Sequence, residues 1–179
     1  LAEDISDFQI EGMSIGDSLL DYYDREFILD NIVKVHNDNK YSTIELVNEK
    51  SSDVYDAIQI SFKRNNKKFI IEEITGVKFY SKNINNCSSK MKDISNELKK
   101  IFDNAVFKTF KIKHSYDKSG KSVVEGVDIF LTPNSKISEV LLNCINWSKE
   151  IENKNGWNDH LRVTVFTTEF SYWLSNKAY

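Results

Sequence analysis

The chain has 179 residues, 40% hydrophobic and 12% aromatic, enough apolar material to close a core of ordinary size without metals or several crosslinks. That composition excludes disorder, and no apolar stretch approaches the roughly 20 residues that a membrane-crossing helix needs. The net charge is -3 and the arginines are only Arg25, Arg64 and Arg162; the forked cations that read phosphate and guanine edges are scarce, so nucleic-acid binding is not expected.

In chain order, Phe8-Gln9-Ile10 alternates as a short strand. Ser14 follows as a candidate N-cap, with Asp17 three residues on as the acid of a capping box, so a helix is predicted from Ser14. Ile15, Leu19, Tyr22 or Tyr23, and Phe27 form its apolar face, while Asp17, Asp21 and Asp24 gather on another. Those acids lack the glycine-containing ligand loop of a calcium site and read as a solvated face.

From Tyr41 to Tyr80 the period shifts to two: Ile44 and Leu46, then Ile58, Ile60 and Phe62, then Phe69 and Ile71, then Val77 and Phe79. This is a predicted meander, with a tight turn at Asn65-Asn66 and a bulge or bend at Gly76. Cys87, Met91, Ile94, Leu98 and Ile101 or Phe102 share one helical face, predicting an amphipathic helix whose stripe packs on the sheet. Residues 106–116 and 122–131 read as a hairpin through Lys118-Ser119-Gly120, and Pro133-Asn134 as a break. Residues 137–147 read as strand on their β-branched and aromatic content. Leu161, Val163 and Val165 alternate as a last strand, after which Thr167 or Thr168 caps a short helix carrying Phe170, Trp173 and Leu174. The expected architecture is therefore one α+β domain over residues 1–179: an antiparallel sheet of meander and hairpins packed by one long amphipathic helix, with an N-terminal and a short C-terminal helix. No internal repeat is visible.

Residues 1–60 carry 14 acidic and 4 basic side chains, and residues 61–122 carry 6 and 15. Lys63, Arg64, Lys67, Lys68, Lys111 and Lys113, together with Lys108, are thus a candidate anion-binding patch, weighed against solvated strand faces and turns, the favoured reading. The 18 asparagines and the excess of Lys over Arg are what AT-rich codon usage produces without functional demand.

Cys87 and Cys144 have neither zinc-site spacing nor a redox C-x-x-C, and no metal or other cofactor is expected. Each fits a buried free thiol, yet a disulfide between them is favoured, closing a long loop in an oxidising compartment. His36 and His114 sit in polar hairpin contexts with no ligand cluster around them. The glycosylation-type strings Asn86-Cys87-Ser88 and Asn146-Trp147-Ser148 are expected by chance in an Asn-rich chain.

Two catalytic strings overlap near the start. Gly12-Met13-Ser14-Ile15-Gly16 fits the G-x-S-x-G nucleophile elbow. Gly16-Asp17-Ser18-Leu19 resembles the opening block of the GDSL-type esterases and lipases, and Gly156-Trp157-Asn158-Asp159 resembles their G-x-N-D block. That resemblance implies a serine hydrolase with Ser18 as nucleophile, Asn158 in the oxyanion hole and His160 as base. The chain departs from the family pattern where Asp159 and His160 are adjacent instead of three apart, and where antiparallel hairpins replace parallel βαβ units. Convergence of Ser18, Asn158 and His160 in one cleft is the geometry this alternative requires.

The opening Ile10-Glu11-Gly12-Met13-Ser14-Ile15-Gly16-Asp17-Ser18-Leu19-Leu20-Asp21-Tyr22, with the Asp128 region and Asn146-Trp147-Ser148-Lys149-Glu150, resembles a group of small exported proteins of AT-rich marine bacteria. The Gly12-Met13-Ser14 opening is also similar to small envelope domains of the β-lactamase-inhibitor-like α+β type. The first resemblance implies a removed signal peptide, which suits the Leu1-Ala2-Glu3 start, and a periplasmic or secreted location; it brings no activity. The leading expectation is a non-catalytic exported domain that binds an envelope protein, a glycan or a small ligand, with the esterase as alternative.

Overall fold

The computed structural model describes residues 8–35, 38–47, 54–81, 83–131 and 137–177, with backbone alone at 137 and 138. The Leu1-Ala2-Glu3 start, His36 and Pro133-Asn134 lie outside the described residues. Among those described, eight strands form one antiparallel sheet: β1 Ile32–Val35, β2 Tyr41–Val47, β3 Ala57–Lys63, β4 Ile71–Phe79, β5 Val106–Lys113, β6 Val123–Phe130, β7 Ile137–Asn146 and β8 His160–Thr167. The order across the sheet is β1-β2-β3-β4-β8-β7-β6-β5. The helices are α1 Arg25–Asp30, α2 Ile84–Ile101, α3 Lys149–Asn155 and α4 Thr168–Asn176. The fold is α+β, with the long amphipathic helix α2 packed on the sheet, and no described helix is long and apolar enough to cross a membrane.

Alternation along each strand sorts side chains onto two faces. Ile44, Ile60, Ile74, Val165, Leu142 and Val127 share the core face, where Cys87, Met91 and Leu98 of α2 cover them. The Cys87–Cys144 disulfide bonds α2 to the core face of β7, closing a loop over a sequence separation of 57. On the other face stand Thr43, Ser61, Glu73, Thr75 and Thr164, in register across β2, β3, β4 and β8. His114, just beyond the β5 edge, and Val33 and Lys34 at the β1 edge line one recess on that face, so the sheet curls towards it.

The N-terminal segment departs from expectation. No helix begins at Ser14. Ile10 and Met13 exchange two backbone hydrogen bonds (3.0 and 3.1 Å) around Glu11 and Gly12, both at positive φ, which makes a two-residue primed turn. Gly16 (φ +92) then breaks any helical run, and its N–H donates to Ile71 O at 3.0 Å; Ile71 N–H donates to Asp17 O at 2.9 Å, and Leu19 N–H to Phe69 O at 3.1 Å. The segment is held as an irregular ribbon along the start of β4. Asp17 does accept the Ser14 N–H (2.9 Å), which is half of the predicted capping box, but the caps themselves are Ser18, on a 3₁₀ turn Leu19–Asp21, and Asp24, on α1.

Three other expectations are corrected. Ile71–Phe79 is one continuous strand, not two, and Phe69 lies outside it at φ 48. Gly76 carries no bend: the Tyr55 ring lies over it, and the register irregularity falls at Ser61/Phe62 instead. Strand β1 and helix α3 form where no element was expected, α3 held between the Ser148 N-cap and the left-handed Gly156 C-cap.

Candidate functional site

The groove face is not a solvated exterior. Ser61, Glu73, Thr75 and Thr164 are all buried and connected: the Thr43 and Ser61 hydroxyls are 2.8 Å apart, Ser61 donates to Glu73 Oε2 at 2.6 Å, Thr75 donates to Glu73 Oε1, and the Thr75 and Thr164 hydroxyls are 2.8 Å apart. Ser61 and Thr75 each spend their one proton on Glu73, so Thr43 donates to Ser61 and Thr164 to Thr75. Glu73 ends both chains as acceptor, an arrangement that favours its ionised form, yet burial is the larger effect and raises its carboxyl above the ordinary value.

Beside this ladder, Gln59 bridges two charges. Its Nε2 donates to Glu45 Oε2 at 2.5 Å, and its Oε1 accepts from Arg162 Nη2 at 2.9 Å. One recess of about 450 Å³ lies on the Ser61 and Glu73 side, walled by Leu141, Phe166, Phe170 and Leu174. A second, of about 440 Å³, lies on the Trp147, Trp157 and His160 side. Gln59, His114, Ile145 and Arg162 line both, which makes them one groove. Volumes of a few hundred Å³ with apolar walls and a few convergent polar groups are those of small-ligand sites.

Each end of the groove has an aromatic wall. At one, Thr167 caps α4 and sets Phe170 and Trp173 on Tyr41, with centroids 4.9 and 4.5 Å away, while Trp173 Nε1 donates to Asp38 Oδ2 at 2.6 Å. At the other, His114 packs on Trp147 (4.3 Å), and Trp157 contacts both Trp147 (4.7 Å) and Tyr116 (4.8 Å). The Asn143 Oδ1 and Trp147 Nε1 atoms in the lining are buried with no hydrogen-bond partner among the described residues. Enclosing such an atom costs roughly 1–3 kcal/mol, so the fold gives up stability along this face.

His160 is defined by its neighbour. Its Nδ1 lies 2.7 Å from the Asn158 carbonyl oxygen, which can only accept, so Nδ1 carries the proton. Burial, outweighing that hydrogen bond and helped by the Arg162 charge, brings the ring down to about 4. It is neutral at pH 7 with Nε2 as acceptor. His114 is lowered as well, chiefly by burial, and its Nδ1 accepts the Tyr116 N–H at 3.2 Å.

The esterase constellation is not brought together. Ser18 bridges Ile70 beside the start of β4, donating to Lys68 O at 2.7 Å and accepting from Leu20 N–H at 3.2 Å. His160 pairs with Phe79 at the opposite end of β4; nine residues of extended chain at ~3.3 Å each put about 30 Å between them. Asn158 sits near His160, but its Oδ1 accepts from Ser81 Oγ at 3.0 Å, and Gly156 serves as a helix C-cap. Ser14 is buried, with its hydroxyl on Phe8 O at 3.4 Å, so neither serine stands on an exposed elbow.

The basic residues are also divided. Lys63, Arg64, Lys67 and Lys68 belong to the β3 end and the turn after it, and Lys108, Lys111 and Lys113 to β5, five strands further along the sheet order. Lys63 pairs with Glu72 (3.3 Å) and Glu169 (2.5 Å), Lys111 with Glu125 (3.5 Å), and Arg64 donates to Asn39 at 3.0 Å. Lys63, Arg64 and Lys111 are thus engaged by neighbouring side chains. On β5, lysines along an open sheet edge discourage strand-to-strand association.

Gln59, Arg162, Asn143 and Trp157, the residues that shape the groove, were not singled out by sequence. For Gln59 and Arg162 the signal was the polar phase of alternation, Gln59 between Ile58 and Ile60 and Arg162 between Leu161 and Val163, which any water-facing strand also shows. Comparisons with protein-family models, with curated proteins and with solved structures find no match for this chain.

Proposed function

We propose that this protein is an exported, non-catalytic binding domain that holds a small ligand in the groove across its curled sheet. The observation that carries the reading is the Gln59–Arg162 pair at the junction of two recesses, set between two aromatic walls over a buried polar floor. A solvated sheet face needs neither the burial nor the walls. The hydroxyls of the floor are committed to Glu73 or to one another, and Nδ1 of His160 to a carbonyl, an arrangement suited to holding a ligand more than to activating a nucleophile. The Cys87–Cys144 bond supports a periplasmic or secreted location, since such bonds persist in oxidising compartments.

A fragment screen by two-dimensional NMR on the oxidised chain tests the reading. Hits are expected to converge on the Gln59 and Arg162 side chains and on the Trp147 and Trp157 indoles, with Arg162→Ala weakening them roughly tenfold, as loss of a central interface group does. Hits scattered over the surface, or none, overturn it.

A further inference from the structure

The Trp157 end of the groove differs from the α4 end in having an aromatic rim open to solvent. Trp157 is 38% exposed and Phe79, across the recess, 42%. Trp157 is nevertheless held: it follows the left-handed Gly156 cap, leans on Trp147 and Tyr116, and precedes Asn158, which is tied to Ser81. A fixed aromatic face left open to water is a surface for stacking.

The polar groups beside it are mixed in kind and balanced in charge. Glu45 and Arg162 flank Gln59 and offset one another, and the two histidines of the recess, His114 and His160, are held neutral by burial. His160 offers an acceptor at Nε2, Glu45 a carboxylate and Arg162 a guanidinium. A charged ligand would need a surplus of one sign. A ligand rich in hydroxyls, each both donor and acceptor, matches a set containing both; the C–H face of a pyranose ring matches the indole.

We propose that the Trp157 recess is a saccharide subsite that takes a neutral pyranose ring against the Trp157 face, with its hydroxyls directed to His160, Glu45 and Arg162. This rests on the groove being the binding site, and names the class of ligand at one end of it.

The test titrates the oxidised full chain with neutral trisaccharides (cellotriose, maltotriose and the N-acetylglucosamine trimer) and with trigalacturonate as an acidic counterpart. Indole NMR signals and tryptophan emission are the readouts. At least one neutral sugar is expected to shift the Trp157 indole signal; Trp157→Ala should weaken its binding, followed at the Trp147 indole, roughly tenfold and Trp157→Phe less, with both variants retaining a cooperative thermal transition. His160→Phe, which removes the Nε2 acceptor, should weaken the sugar. Response to trigalacturonate alone overturns the neutral assignment. If no sugar acts on Trp157 while fragments still converge on Gln59 and Arg162, the saccharide class fails and the groove reading stands; if fragments also fail, both fall.

Discussion

Burial of a neutral His160 links one side chain to the pH dependence of the fold. The unfolded ring takes its proton near pH 6.5, whereas the folded one resists until about 4; between these values the unfolded state binds more protons, so stability falls as pH drops. The shift of a few units corresponds to roughly 3 kcal/mol across that window. Urea unfolding at several pH values is expected to show His160→Gln losing less stability than the parent between pH 6.5 and 4. Glu73 works in the opposite sense. Its folded carboxyl is raised by burial, so its contribution is present at low pH and is lost as pH rises through the folded value. Glu73→Gln, which keeps an acceptor for Ser61 or Thr75 and cannot ionise, should gain on the parent as pH is raised from 5 to 9; equal stabilities throughout would show that the polar floor, not burial, governs this group.

At the scale of elements, periodicity was a faithful guide wherever one apolar stripe met one partner. Cys87, Met91 and Leu98 are buried on α2, and 106–113, 123–130 and 137–146 are strands close to the expected spans. It misled where a segment's hydrogen bonds go to another element. The helical spacing of Ile15, Leu19 and Phe27 was outweighed by bonds from Gly16 to Ile71 at the start of β4 and from Leu19 to Phe69 just before it, together with the positive φ of Gly12 and Gly16. The disulfide clamps α2 to β7, and on a chain-entropy account a loop of this length contributes about 4 kcal/mol. Reduction, or Cys87→Ser with Cys144→Ser, should lower the urea midpoint accordingly; no change would mean that packing alone seats α2. Glycines are tested by contrast. A Cβ on Gly126 would lie 2.5 Å from the Phe110 ring and 2.6 Å from the Leu142 carbonyl oxygen, one on Gly76 only 2.4 Å from the Tyr55 ring. A ring can move and strand backbone cannot, so Gly126→Ala is expected to cost about 1–3 kcal/mol and Gly76→Ala less, measured by thermal unfolding.

For the whole molecule, the sheet order is a palindrome: meander β1 to β4 and meander β5 to β8 meet where β4 pairs with β8, each meander preceded by a helix. No sequence repeat announces this, because the two halves share a path and not a residue pattern. By itself the sequence determined local terms: the period of two along β2, β3 and β8, the one apolar stripe of α2, and that Cys87 and Cys144 favour a bond; the tight turn read at Asn65-Asn66 is instead a longer connection between Lys63 and Ile71. Alternation also fixed that Gln59, Ser61, Thr75, Arg162 and Thr164 oppose the apolar phase of their strands. Only the tertiary structure decided that this polar phase is a walled groove. That follows from the β4–β8 pairing, the curl of the sheet, and the placing of α4 and Trp157 over opposite ends, all contacts between residues far apart in the chain, to which a window of neighbouring residues is blind.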